Sequence, residues 1–300
     1  MRALAAILCA LVLAGAAFAA KVDLAASTLT IASGDIVGST QTSQGPVHEK
    51  GYSNGYQRSF TFATPNGASG LVFFESEALV AQTVARAAND VAAVRAALQQ
   101  PASRAAFITS VAANLKVSPS MVKPGALHSV NVGDSSVVLP LMVQLPTKRL
   151  YESLLYMQRD RVVSVIVSAG TRPTAVADSR RLARAAVTHV NAALAPALYV
   201  KPTTDGVAQV GEVLTATSGT WSDPTAKLTY QWQRCDGTGA TCLDITGASS
   251  SSYTAADADA GSTLRVEVTA TNRFGATKGD SDVTAVVVTP SPPAPPPPAQ

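Results

Sequence analysis

The sequence predicts a multidomain chain in which an α+β domain, an antiparallel sheet carrying helices, precedes an all-β sandwich. Three observations predict this. The chain has 300 residues, 47% of them hydrophobic and 14% charged, which supplies apolar material for two cores and argues against a disordered chain. Between residues 21 and 197, strand-length apolar runs are interleaved with helix-length ones. From Val207 onward, short alternating runs recur about every ten residues between Gly, Pro, Asp and Ser clusters.

The opening MRALAAILCALVLAGAAFAAK has one basic residue, Arg2, then an apolar run, then small residues around Ala17-Phe18-Ala19. This is the layout of a cleaved signal peptide over residues 1–20. Cleavage would remove Cys9, and no later stretch approaches the roughly 20 apolar residues of a membrane span, so no integral span is expected afterwards.

Residues 21–197 read as the α+β domain. YQRSFTFAT and GLVFFES form a hairpin about Asn66-Gly67, and Glu75–Gln99 and Ser103–Leu115 read as helices parted by Pro101. SSVVLPLMVQL, YESLLYMQ and RVVSVIVSAG follow as β-branched strands joined by tight turns. The stretch TRPTAVADSRRLARAAVTHVNAAL then sets Ser179, Leu182, Ala183, Ala186, Val190 and Leu194 on one face of a helix, with Arg180, Arg181 and Arg184 on the other. The hairpin RDRVVSVIVSAG leading into VADSRRLARAAV resembles sensor-like and lipoprotein domains exported by high-GC Gram-positive bacteria, some with a PsbP-like sheet.

A proline-punctuated linker is expected at 198–204, the sandwich at 205–290, and a polyproline spacer, SPPAPPPPAQ, at 291–300. In the sandwich, Tyr230-Gln231-Trp232-Gln233 resembles the third strand of an immunoglobulin-like domain, and Asp259-Ala260-Gly261 followed by Leu264 and Val266 resembles the turn into its sixth strand. The chain is thereby similar over about 90 residues to the bacterial immunoglobulin-like modules of exported surface proteins. The resemblance implies a core built on Trp232, Leu264 and Val266, together with Leu214 and Val268. The antibody-type pattern would place a Tyr and a Cys after that turn; neither is present, so the sheet-to-sheet disulfide and the tyrosine corner are missing.

The mature chain keeps only Cys235 and Cys242, flanking the Gly-rich DGTGAT. An even count in an oxidising compartment favours a disulfide stapling a hairpin. A zinc site lacks two further ligands, and redox motifs use a two-residue spacing.

No catalytic constellation emerges. His48, His128 and His189 show no zinc-type spacing, and His189, late in its helix, suits the C-terminal dipole. There is no G-x-S-x-G elbow, and Gly34 and Gly38 do not complete a phosphate or dinucleotide loop. Glu75 and Glu77 form the one acid–base candidate, but at a helix start they would more simply serve its positive end. Tyr52, Tyr56, Phe60, Phe62, Phe73 and Phe74 suit either core packing or an apolar pocket.

Charge is asymmetric: residues 21–197 carry sixteen Lys and Arg against ten Asp and Glu, a net +6, while residues 198–290 carry six against ten, a net −4. The face of Arg180, Arg181 and Arg184 could hold an anionic polymer, although a solvated helix face is the commoner use of such a stripe. The expectation is a non-enzymatic exported protein, secreted or held at the cell surface, with a ligand-binding or sensor-like domain and an immunoglobulin-like interaction or spacer module. Its partners would be a cell-wall polymer, a small apolar ligand or a surface protein, with no nucleic acid, metal or cofactor. The alternative is a secreted hydrolase with an accessory module.

Overall fold

A computed structural model describes residues 24–66, 70–173 and 176–291 of the chain. The expected signal peptide and all but the first residue of the proline-rich tail lie outside the described residues. The chain divides into two compact units, Met1–Ala193 and Leu194–Gln300.

The first unit is built on β1 (Ser39–Pro46), β2 (Tyr52–Asn66) and β3 (Leu71–Ala81), then helices α1 (Val84–Gln99) and α2 (Pro101–Leu115). After these come β4 (Val122–Pro124), β5 (Ser135–Gln144), β6 (Arg149–Arg159), β7 (Val162–Gly170) and helix α3 (Val176–Leu194). The strands form one seven-stranded sheet in the order β1-β2-β3-β7-β6-β5-β4, every neighbouring pair antiparallel. The helical excursion explains this order. It carries the chain from β3 to the far edge, and the β5-β6-β7 meander then returns strand by strand until β7 docks on β3.

Local chemistry sets the helix ends. Thr83 caps α1, its Oγ1 accepting from the Arg86 amide at 3.1 Å, Pro101 opens α2, and left-handed Lys116 closes it. Alternation along the strands sorts two apolar layers. Val137, Leu139, Leu141, Leu154, Tyr156, Val163 and Val165 meet Val91, Val94, Leu98, Phe107 and Val111 of α1 and α2 on one face. Val138, Leu155, Met157, Ile166 and the phenylalanines Phe60, Phe62 and Phe74 meet Leu182, Ala183 and Ala186 of α3, with Ile31 and Ile36, on the other.

Two expectations are corrected and one strand, β1, had none. Residues 75–81 are strand, not the start of a helix. Because β3 is buried on both faces, its two-residue period disappears from the sequence. The edge strand β1, Ser-Thr-Gln-Thr-Ser-Gln-Gly-Pro, has no apolar residue on either face before Pro46, so no hydrophobic period marks it; a bulge interrupts its pairing between Gln41 and Ser43. The supposed linker is paired backbone: β8 (Leu198–Val200) bonds to β11 (Thr220–Trp221), and β9 (Thr204–Asp205) to β10 (Val213–Ala216).

The second unit continues with β12 (Lys227–Cys235), β13 (Cys242–Asp244), β14 (Ser252–Thr254), β15 (Thr263–Asn272) and β16 (Gly275–Asp280). Its sheets are β13-β12-β15-β16, β14-β10-β9 and the β11-β8 pair. Trp232 is fully buried, directly opposite Val266, stacked on Tyr253 with ring centroids 5.7 Å apart, and its indole donates to the Ser250 carbonyl at 3.0 Å. Leu214, Leu264, Val266, Val268 and Ala270 complete that core.

Beside it, the carboxylate of Asp259 is wholly buried and fully used. Arg234 meets Oδ1 at 2.5 Å, while the Tyr253 hydroxyl and the Ala256 amide donate to Oδ2 at 2.7 and 2.8 Å. Burial, then the bond to Asp259, pushes the Tyr253 hydroxyl up to about 12. Cys235 and Cys242 are cross-strand partners joined by a disulfide. Between them Asp236 accepts from Thr238, Ala240 and Thr241, and these bonds, the Thr238 hydroxyl's first, hold its carboxyl well below the usual range.

Both tryptophans of the chain, Trp221 and Trp232, lie in the second unit, so tryptophan fluorescence during urea unfolding reads that unit alone. Reducing the disulfide will lower its stability by up to about 2.5 kcal/mol, the loop-entropy figure for so short a ring, without unfolding it. Asp259→Ala will cost more, about 3 kcal/mol, because it strands Arg234, the Tyr253 hydroxyl and the Ala256 amide together.

Candidate functional site

The least ordinary chemistry lies on the face of the first sheet that carries α1 and α2. Register pairs Glu75 with Val167 and Glu77 with Val165 on β7, and these face Leu154 and Tyr156 on β6. Glu152 pairs with Ala169 one step further along. Since side chains alternate strictly through these pairs, Glu75, Glu77 and Glu152 share the face that holds Val165, Val167, Leu154 and Tyr156. The spacing of strands puts Glu75 and Glu152 roughly 12 Å apart at the backbone.

All three carboxyls are buried, at 3%, 4% and 3% exposure. The Ser59 hydroxyl donates to Glu75 Oε2 at 3.1 Å. No hydrogen bond or ion pair reaches the Glu77 carboxyl from a described residue. Burial first, then the charges of Glu49 and Glu75, push it up to about 8. Burial pushes Glu152 up to about 7, and its Oε2 is a buried acceptor with no donor. Burial also raises Glu49, in the β1–β2 connection.

The arginines of α1 and α2 make other contacts, although Arg86 Nη2 and Arg104 Nε are buried donors without a partner among the described residues. Arg86 pairs with Asp90 at 2.8 Å, and Asp90 also accepts from the Tyr52 hydroxyl at 2.7 Å. Arg95 and Arg104 donate to the carbonyls of Ser136 and Gly125. Glu77 and Glu152 therefore take up and release protons nearer neutral pH than an ordinary carboxyl does. Among the described residues, no three His, Cys, Asp or Glu side chains converge closely enough to hold a metal ion.

The other residues singled out by sequence go elsewhere. Arg180 is drawn down onto the Val130 carbonyl at 3.1 Å, which leaves Arg181 and Arg184 as the exposed pair of that stripe. His189 meets Asp35 at 2.6 Å, an ion pair when the ring is protonated, so its partner is a side chain. Phe60 and Phe74 stack 4.5 Å apart inside the α3 core. Trp232, Leu264 and Val266 sit in the second unit's core, and Cys235 and Cys242 at its hairpin. Glu152 drew no notice in the sequence, lying inside YESLLYMQ, though a lone acid amid a strand buried on both faces was its signal.

Because Glu77 and Glu152 bind protons more tightly folded than at the ordinary 4.5, the native state holds more protons than the unfolded chain between pH 4.5 and about 8. The stability they contribute is therefore full in mild acid and is lost as pH rises through that window. Glu77 alone accounts for roughly 3–5 kcal/mol. Calorimetric melting will show the first unit's transition falling from pH 5 to pH 8, and Glu77→Gln will flatten most of that slope; an unchanged slope would refute the assignment.

No protein-family model matches the sequence, and no curated protein matches it significantly. The functional reading therefore rests on the residues and their geometry.

Proposed function

We propose that the chain is an exported, non-enzymatic binding protein, secreted or held at the cell surface. In this reading an α+β ligand-binding or sensor-like domain is followed by an immunoglobulin-like interaction module. The observation that carries it is the cross-strand Cys235–Cys242 disulfide in a sandwich centred on Trp232, since small β domains with paired thiols belong to oxidising compartments. The opening residues have the composition of a cleaved leader, and no described helix is long and apolar enough to cross a membrane. A binding role for the first domain is supported by the buried carboxyls of Glu77 and Glu152, the latter with an Oε2 that no described donor reaches, since strongly shifted buried acids gather at functional sites.

The partners this reading admits are a cell-wall polymer, a surface protein or a small ligand. The apolar version of that ligand is the least favoured, because Phe60, Phe62 and Phe74, three of the aromatic residues that would have lined its pocket, are packed in the α3 core.

Expression with its own leader will deliver a chain shortened by about 20 residues outside the cytoplasm. Its mass will lie two hydrogens below that of the reduced form, and it will be retained on cell-wall material. A cytoplasmic product with two free thiols, or an exported one that is never retained, would overturn the reading.

A further inference from the structure

In the second unit a cleft of about 370 Å³ opens between the edge strand β9 and the run Asp282–Ala285, which follows β16. The buried Leu214 lines it, with Gly206 and Ala208 beside it. On the β9 wall, Thr203 is bonded to Thr217 through both its carbonyl and its amide, so alternation along the strand turns the amide and carbonyl of Thr204 away from β10. On the other wall, Ser281, Thr284 and Val287 donate their amides to the carbonyls of Val266, Leu264 and Ser262, whereas the amides of Asp282, Val283 and Ala285 donate to no described residue. Two hydroxyls then unbalance this wall. Ser281 donates to the Asp282 carbonyl at 2.8 Å and Thr284 to the Ala285 carbonyl at 2.7 Å, while the same hydroxyls accept the amides of Val266 and Leu264. Amide donors are left in excess along a sheet edge.

That excess selects the chemistry of an occupant. An ordinary strand brings as many N–H groups as carbonyls, and its donors would compete with Ser281 and Thr284 for the Asp282 and Ala285 carbonyls. An anionic ligand would meet the carboxylates of Asp205 and Asp282. A proline-rich segment is instead a neutral run of carbonyls with almost no N–H, extended before it binds. The chain holds such a segment close by: residues 292–300 have proline at six of their nine positions and no charged side chain, and they follow directly on Ser291. We infer that this tail folds back into the cleft of its own unit, its carbonyls accepting from the free amides of Asp282, Val283 and Ala285 and its rings resting on Leu214, Ala208 and Val283. Its reach permits this. Val283 lies about 17 Å back along the strand from Val288, and nine residues of polyproline span about 28 Å. Thr289 to Pro292 supply the reversal, beyond the point where Val288 is bonded to Ala208 and Val210. Because the tail is tethered, the contact is intramolecular and needs little intrinsic affinity. An edge open to pairing with another strand is thereby closed from within the chain.

The test is residue-by-residue amide exchange, followed by NMR, on the whole chain and on a chain ending at Ser291. The amides of Asp282, Val283 and Ala285 will exchange at least about threefold more slowly in the whole chain, as a tethered contact at millimolar effective concentration allows, while those of β15 will be unchanged. Adding the free peptide PPAPPPPAQ to the shortened chain will restore the protection. In the whole chain, Pro295→Ala, Pro296→Ala, Pro297→Ala and Pro298→Ala together return four N–H donors to the tail and will remove it. Both changes fall beyond Ser291, so neither takes away a described contact, and unchanged exchange in β15 will show that the fold is intact. Equal exchange in the whole and shortened chains, or protection that survives the alanine changes, would overturn the inference. Protection that rises with protein concentration would assign the cleft to the tail of a second copy and overturn docking within one chain.

Discussion

The pairing of β3 with β7 is the constraint on which the first unit rests. Those strands are separated by two helices and three other strands, yet they make the central seam of the sheet. Until they meet, β1-β2-β3 and β4-β5-β6-β7 are two small sheets whose faces are only half covered. Their union creates one surface broad enough for α1 and α2 on one side and α3 on the other. The loop closed by this contact is long, and its entropic cost has to be met by apolar burial on both faces at once. The same seam brings Glu75 and Glu77 alongside Val165 and Val167, so the unusual electrostatics of the site arises from the contact that completes the fold.

Much of this was legible in the sequence, and what was not has physical reasons. The meander β5-β6-β7 announced itself because β-branched runs were separated by tight links. The α3 face was readable because its apolar residues keep the helical period. β3 was lost for the opposite reason: a strand buried on both faces has no period, and with helix-tolerant Ala and Glu within it, Glu75 to Ala81 read as the first turns of α1. β1 was lost because an edge strand of Ser, Thr and Gln contributes pairing without burial. The site suffered most from this. Glu75 and Glu77 were noticed and assigned to a helix end; only the strand register shows that they share a face with Glu152, whose one sequence signal is to stand as a lone acid in an apolar strand.

The second unit solves a different problem. Without a covalent link between its sheets, it uses a buried ion pair and a single large indole in place of that staple. Asp259 gathers Arg234 from β12, the Tyr253 hydroxyl from β14 and the Ala256 amide, so one carboxylate ties together elements of two separate sheets. Tyr253 stacks on Trp232 at the same time, which couples the polar tie to the apolar core. The disulfide acts locally, beside Asp236, on the β12–β13 hairpin. The covalent bond and the structural tie are therefore independent devices.

The composition of β1 has a consequence beyond its own pairing. An antiparallel sheet that is not closed into a barrel presents a row of free amides and carbonyls along its outermost strand, and a second molecule can extend the sheet there. In β1 that row is broken by the bulge between Gln41 and Ser43 and ended by Pro46, and its side chains offer no apolar ladder for a neighbour to match. The strand that contributes least to the core thus makes its own edge of the sheet a poor template for a second copy.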